Sequence, residues 1–121
     1  MSKNKVTLPH DHGGHTQELL DQQPDQKIFD EVSSTFQLIS SNTRLKILWL
    51  LCHSEECVIN IAAAIDMSSP AVSHHLRVLK QAKLIQVRRD GKEVYYTLAS
   101  TPEADLIHKI VDITFNMNCK L

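Results

Sequence analysis

The sequence of 121 residues predicts a single domain that is mostly α-helical and carries one β-hairpin. Apolar residues recur at spacings of three and four along most of the chain, as on the buried face of a helix. One later segment instead alternates β-forming residues on either side of Asp90-Gly91, a dipeptide typical of tight hairpin turns. Aromatic residues make up only 5% of the chain, which argues against a β-sandwich or an aromatic-rich barrel.

Composition narrows the class of protein further. No apolar run approaches the ~20 residues that span a bilayer, and no apolar stretch follows the basic start to indicate a signal peptide. The three cysteines are an odd number, so we expect reduced thiols in a cytoplasmic protein rather than a disulfide framework. The sequence contains no phosphate-binding glycine loop and no HExxH, and we expect no enzymatic activity.

The N-terminal third is predicted to contain an arm and two helices. Residues 1–15 are polar and carry three histidines, which indicates a flexible arm ahead of a domain over residues 16–121. A short helix over 16–22 should end before Pro24, and Asp25 can begin the next helix. The apolar stripe of that second helix comprises Ile28, Phe29, Val32, Phe36 and Ile39.

Two further helices are predicted in the middle of the chain. The first covers residues 43–52 after the turn Ser40-Ser41-Asn42, and its expected inward face comprises Leu45, Leu48, Trp49 and Cys52. The second covers residues 57–65, and its apolar positions are Val58, Ile61, Ala62 and Ile65.

A capped amphipathic helix follows. Ser68 or Ser69 can cap it, Pro70 suits its first turn, and it should continue to about residue 82. Val72, Leu76 and Leu79 form a buried line, so polar residues occupy the opposite side. Strands over 84–88 and 93–98 come next, joined by the turn residues 89–92.

The last predicted helix runs from the Ser100-Thr101-Pro102 cap to about residue 118. Its apolar stripe comprises Leu106, Ile110, Ile113 and Met117. A domain of this size could hardly bury that stripe within one chain, so we expect a homodimer.

These elements together describe a winged helix-turn-helix. Net charge is only −1, yet residues 69–92 carry six basic residues against one acid. A capped helix fits the major groove of double-stranded DNA, and a basic hairpin can neutralise phosphates. The predicted DNA-binding residues are Ser68, Ser69, Ser73, His74, His75, Arg77, Arg88, Arg89 and Lys92.

The segment over residues 42–98 resembles the ArsR/SmtB family of bacterial transcriptional repressors. The most specific parts are TRLKIL, the helix SPAVSHHLRVLKQAKLI and the hairpin RRDGKEVYYTL. Asp66 stands where the family usually has glycine in the turn, and aspartate tolerates a left-handed backbone better than most residues. The resemblance implies a homodimer on an inverted-repeat operator, released by an inducer.

The resemblance also implies where a metal inducer could bind. Cys57 matches the first cysteine of a thiol-rich family motif, whereas Ile59 replaces the second. This loss disfavours soft ions that need several thiolates. Three imidazoles of His10, His12 and His15 with the Cys57 thiolate make a four-ligand set that zinc accepts.

Other interpretations stay open at this point. The alternative interpretation of Cys57 is a small buried thiol beside a solvated histidine tail. The ligand positions of a second family site, on the last helix, are occupied by non-ligating residues, although Asp105, His108 and Asp112 share one helical face. A thiol- or persulfide-responsive repressor would use Cys52, Cys57 or Cys119. A winged-helix protein-interaction module without DNA binding is the alternative from another class.

Overall fold

The computed structural model describes residues 6–116. Its residues group into two compact units, Met1–Phe36 and Gln37–Leu121, and the division falls inside the second helix. The elements in chain order are α1 Thr16–Asp21, α2 Gln26–Ile39, α3 Asn42–His53, α4 Val58–Ile65, α5 Ser69–Gln81, β1 Ile85–Asp90, β2 Glu93–Leu98 and α6 Pro102–Thr114. The helices and the hairpin predicted from the sequence are all present.

In the first unit, the segment before α1 is folded back onto that helix. The Gln17 side-chain amide donates to the Val6 carbonyl at 2.8 Å, and its oxygen accepts from the Leu8 amide at 3.4 Å. An Asp11 carboxylate accepts from the Gly13 amide at 2.8 Å and closes a local turn. The arm predicted from polarity is therefore held locally through side-chain hydrogen bonds.

Helix α3 begins where the Ser41 hydroxyl accepts a hydrogen bond from the Arg44 amide. Its buried residues are Ile47, Leu48 and Leu51. The predicted inward face is confirmed at Leu48 and wrong at Trp49, which is exposed, while Leu45 is half-buried. All four predicted positions are apolar, and packing against α4, α6 and β2 selects a neighbouring face.

Helices α4 and α5 form the helix-turn-helix. Helix α4 ends at Asp66, whose φ of 56° is left-handed, and the Met67 and Asp66 amides donate back to the Ala62 and Ala63 carbonyls. The Ser68 hydroxyl then caps α5 by accepting from the Ala71 amide at 3.3 Å. The turn predicted around Asp66 is confirmed, and Ser68 rather than Ser69 is the cap.

The first strand of the hairpin is longer and the turn shorter than expected, whereas the second strand has the predicted bounds. Strands β1 and β2 pair from Ile85↔Leu98 to Asp90↔Glu93, so only Gly91 and Lys92 form the turn. Gly91 has a φ of 62°, which glycine adopts without strain. The pair Glu56↔Tyr96 adds a bridge on the other edge of β2, with both amides donating across it at 3.0 and 2.8 Å.

Helix α6 begins at Thr101, whose hydroxyl accepts from the Ala104 amide and donates to the Lys83 carbonyl. It ends at Thr114 rather than near residue 118, and Asn116 has a left-handed φ of 53°. Its buried residues are Ala104, Ile107 and Val111, whereas Leu106 and Ile113 of the predicted stripe are exposed. Met117 lies outside the described residues.

One apolar core occupies the second unit. Its buried residues are Ile47, Leu48, Leu51, Ile61, Ala62, Val72, Leu76, Leu79, Leu84, Ile85, Ile107 and Val111. The buried line predicted for α5 is confirmed in full. Within residues 6–116, no helix is both long and apolar enough to cross a membrane.

The left-handed backbone at Asp66 generates a stability prediction. Asp66 is exposed, so substitutions there report mainly on backbone strain. Asp66→Gly should raise the free energy of unfolding by about 0.5–1 kcal/mol, because glycine adopts this φ freely. Asp66→Val should lower it by about 1–2 kcal/mol. Urea unfolding measures both, and equal stability of the two variants would contradict the strain argument.

Candidate nucleic-acid interface

Helix α5 presents its polar side to solvent because its apolar side is fixed in the core. Val72, Leu76 and Leu79 are fully buried, with at most 1% of each side chain exposed. His74 and Arg77 are exposed on the other side, and Ser73 is half-buried. These side chains offer hydroxyl, imidazole and guanidinium donors of the kind that contact bases and phosphates.

The N-terminus of α5 adds hydroxyls to the same surface. Ser68 is exposed although its oxygen accepts the capping bond, so its own hydrogen remains available to donate. Ser69, the first residue of the helix, is half-buried. Both serines thus lie at the end of the helix that enters a groove in helix-turn-helix proteins.

His75 faces α3 rather than solvent. The Arg44 Nε–H donates to His75 Nδ1 at 3.4 Å, while its Nη1 donates to the Leu38 carbonyl at 3.1 Å. Burial lowers the pKa of His75, and the charges of Arg44 and His74 lower it further. His75 therefore sits as a neutral link between the two helices, a role that the sequence did not indicate.

Arg88 on β1 is engaged within the protein. Its guanidinium donates to both oxygens of the Glu55 carboxylate, with the shortest contact at 2.6 Å, and stacks 4.7 Å from the centre of the Tyr95 ring. The hydrogen bond with Arg88 lowers the pKa of Glu55, and the same bond raises the pKa of Arg88. Arg88 thus differs from the uncompensated cation that we expected there.

Three other cations of this region have no ion pair within the described residues. Arg77 lies on the exposed side of α5, Arg89 near the end of β1 and Lys92 in the hairpin turn, and all three are exposed. A polyanion that meets α5 and the hairpin together would find these charges available.

Comparison with known proteins identifies the family. The model of bacterial regulatory proteins of the arsR family matches residues 41–87, which include α3, α4, α5 and the start of β1. A transcriptional repressor SmtB homolog of Synechocystis sp. is 33% identical over 101 residues, covering 81% of this chain and 76% of the relative. The chain belongs to the ArsR family of bacterial regulatory proteins.

Two further relatives of this ArsR-family protein are regulators of the same kind. A cadmium resistance transcriptional regulatory protein CadC homolog of Staphylococcus aureus is 38% identical over 80 residues, covering 65% of this chain and 66% of the relative. A homodimeric winged helix-turn-helix DNA-binding domain of Mycobacterium bovis is 32% identical, with a TM-score of 0.64, covering 78% of this chain and 88% of that one. The ArsR-family protein is thus a DNA-binding transcription regulator with a winged helix-turn-helix, not an enzyme.

The four residues predicted as zinc ligands fall in both units of the ArsR-family protein. His10 and His12 are exposed in the first unit, with their rings stacked 5.9 Å apart, and they line an open cavity of about 400 Å³. His15 lies 3.6 Å from the Glu18 carboxylate. Cys57 is half-buried in the second unit, where it is the N-cap residue of α4. The structure brings two imidazoles together, and these borderline donors suit zinc.

The acidic and histidine residues of α6 are arranged differently from the sequence expectation. His108 and Asp112 lie together, and the third group beside them is His53 at the end of α3. Asp105 is exposed and does not belong to this cluster. No local pattern pointed to His53, because only the packing of α3 against α6 brings it there.

Cys52 is half-buried in α3 and packs against the core. Cys119, its partner in the thiol-responsive alternative, lies outside the described residues.

The lowered pKa of His75 generates a prediction of pH dependence. A histidine whose pKa is lowered on folding contributes stability above its ordinary pKa of 6.5, and that contribution is lost as pH falls below this value. The His75→Gln variant should therefore lose less of its unfolding free energy between pH 7.5 and 5.5 than wild type. Urea unfolding at several pH values measures the slope. Gln81→Ala, at an exposed position of α5 without a titrating group, is the control and should keep the wild-type slope.

Proposed function

We propose that this ArsR-family protein is a metal-responsive transcriptional repressor that binds operator DNA as a homodimer and is released by a metal ion, with zinc favoured. The observation that carries the proposal is the set of exposed donors on α5 and the hairpin, where Arg77, Arg89 and Lys92 have no ion pair within residues 6–116. The cadmium resistance relative supports the metal response.

Recognition of DNA follows from the position of α5. Its N-terminal serines and Ser73 would meet base edges and sugar–phosphate oxygens in the major groove, with His74 and Arg77 beside them. Arg89 and Lys92 would contact phosphates, whereas Arg88 would hold the hairpin against Glu55. Contacts with phosphate release counterions, so affinity should fall steeply with salt.

The homodimer is supported by two exposed apolar faces, one in each unit. In α2, the side chains of Ile28, Phe29, Val32 and Phe36 are each about half exposed, at 47–53%. In α6, Ile113 is 79% and Leu106 53% exposed. Exposed apolar rows of this kind are typical of surfaces that a partner covers, and a two-fold dimer presents two copies of α5 to the half-sites of an operator.

The zinc response would use the arm. His10, His12 and His15 carry imidazoles on an exposed surface, and Cys57 adds a thiol at the start of the helix-turn-helix. An ion held by all four residues would link α4 to the arm of the same or the partner subunit. The dimer geometry that binds zinc would then differ from the dimer geometry that binds DNA. Zinc binding and DNA binding would therefore be coupled.

The DNA surface is tested with duplexes that wild-type protein selects from a random pool and with unselected duplex. Arg77→Ala should cost about 1–3 kcal/mol on the selected duplex if it contacts a base. Arg89→Ala should weaken both duplexes alike and reduce the salt slope by about 1. Arg88→Ala is the control, and its salt slope should change much less because Glu55 already holds that charge. Unchanged affinity in the Arg77→Ala, Arg89→Ala double variant would contradict this surface.

The dimer is tested at Ile113. Because this side chain is exposed within the protomer, Ile113→Asp should leave the fold intact while burying a carboxylate twice in a two-fold interface. We expect the dimer to weaken by more than about 2 kcal/mol. Sedimentation measures the association and thermal unfolding checks the fold. Ser100→Asp, an exposed position before α6, should dimerise as wild type does. Undiminished association of Ile113→Asp would place the interface elsewhere.

The inducer is tested at Cys57. In wild type, zinc should reduce DNA affinity by a coupling of ~1–3 kcal/mol. Cys57→Ser, or His10→Asn with His12→Asn and His15→Asn, should lose this response and keep apo DNA binding. Cys52→Ser is the matched control and should respond to zinc normally. Release by persulfide but not zinc would favour the thiol-responsive alternative, and duplex binding without salt dependence would favour the interaction module.

A further inference from the structure

A cluster of three ligating side chains lies between α3 and α6, within the second unit. None of its residues belongs to the proposed arm site. It comprises His53 at the last residue of α3 with His108 and Asp112 on α6. One ligand atom from each residue lies within 4.8 Å of the other two, and all three side chains are half-buried. Helical spacing of four places His108 and Asp112 on one side of α6.

Hydrogen bonding orients His53 so that a lone pair points into the cluster. Its Nδ1 lies 3.1 Å from the Trp49 carbonyl oxygen, which can only accept, so Nδ1 carries the hydrogen. In the neutral ring, Nε2 is then an acceptor, and it lies 3.3 Å from Asp112 Oδ1, which is another acceptor. A backbone carbonyl that fixes the far nitrogen is the usual support of a metal-bound imidazole.

His108 brings an unsatisfied atom to the same place. Its Nε2 is buried and makes no hydrogen bond within the described residues, and Asp112 Oδ2 lies 3.6 Å away. A buried polar atom without a partner costs free energy, and a bound cation removes that cost. Asp112 thus has one oxygen beside each imidazole.

The spacing of the three atoms fits a small divalent ion. Ligand atoms about 2.0–2.1 Å from a tetrahedral zinc ion lie about 3.4 Å from one another. Each imidazole Nε2 lies near this distance from one oxygen of Asp112, 3.3 Å from Oδ1 for His53 and 3.6 Å from Oδ2 for His108. Two imidazoles and one carboxylate leave a fourth position for water, and His108 borders an open cavity of about 570 Å³ through which an ion and water can enter.

From these contacts we infer that His53, His108 and Asp112 form a binding site for a divalent transition-metal ion of the zinc and cobalt type, complete within one protomer. The site requires neither the N-terminal arm nor a thiolate. A bound ion links the end of α3 to the middle of α6, so it stabilises the folded protomer directly.

The test uses Co²⁺ as the probe on the reduced full-length protein. The background variant carries His10→Asn, His12→Asn, His15→Asn and Cys57→Ser, which removes the arm ligands and the thiolate. It should still bind one Co²⁺ per protomer, with visible ligand-field absorption and no thiolate-to-cobalt charge-transfer band. Zn²⁺ should displace the Co²⁺ and raise the thermal unfolding temperature.

Substitutions in the cluster decide the assignment. Added to this background, His108→Gln or Asp112→Asn should weaken Co²⁺ binding at least tenfold, and His53→Gln should do the same from the other helix. Asp105→Asn, a nearby acid on α6 outside the cluster, should leave the affinity unchanged. Thermal unfolding of the metal-free variants checks that each still folds, and two independent elements supply ligands, so one unstable variant does not decide the result.

Absence of stoichiometric Co²⁺ binding in the background variant would overturn the inference, and so would binding that survives loss of both His108 and Asp112. The cluster would then be a histidine–carboxylate contact only. Failure of the arm proposal gives a different result: wild type would then bind one Co²⁺ without a charge-transfer band, and loss of the arm ligands would change nothing.

Discussion

The burial of Val72, Leu76 and Leu79 in the core is the constraint on which the functional surface depends. These three side chains lie on one line of α5 and fix the rotation of that helix about its axis. A rotation of one residue position, about 100°, would bury a polar side chain and expose a leucine. Hydrophobic packing thus determines the position of the donors on the opposite side. Asp66 and Lys83, which have a left-handed φ, lie just before and just after the helix.

The hairpin is positioned by a different kind of force. Its outer end is held by the exposed Arg88–Glu55 pair and by the Arg88–Tyr95 contact, and its inner edge by the Glu56↔Tyr96 bridge. An exposed ion pair adds little stability on its own and is screened by salt. The backbone bridge is not screened, so the base of the hairpin keeps its place while the tip responds to ionic strength. Of the two adjacent arginines of β1, Arg88 thus contacts residues within the protein and Arg89 remains available to a partner.

Much of the fold could be predicted from local patterns. The line Val72, Leu76, Leu79 has the helical period, Ser68 or Ser69 is a cap by composition, and Asp90-Gly91 marks a turn. The inward face of α3 could be predicted only in part, because every residue from Ile47 to Cys52 is apolar and period alone cannot choose among them. The sequence could not show that Arg88 rather than Arg89 pairs with an acid, because the acid is Glu55, more than thirty residues earlier in the chain. His53 was missed for the same reason, since its neighbours on α6 are distant in sequence.

Helix α6 carries three sets of residues on its circumference: a core row of Ala104, Ile107 and Val111, an outer apolar row with Leu106 and Ile113, and the edge with His108 and Asp112. Insertion or deletion of one residue early in the helix would turn all later positions by about 100° and displace every row at once. Single substitutions, in contrast, alter one row and leave the others in place. Relatives that diverge in sensing or in pairing are therefore expected to keep the length of this helix and change its side chains.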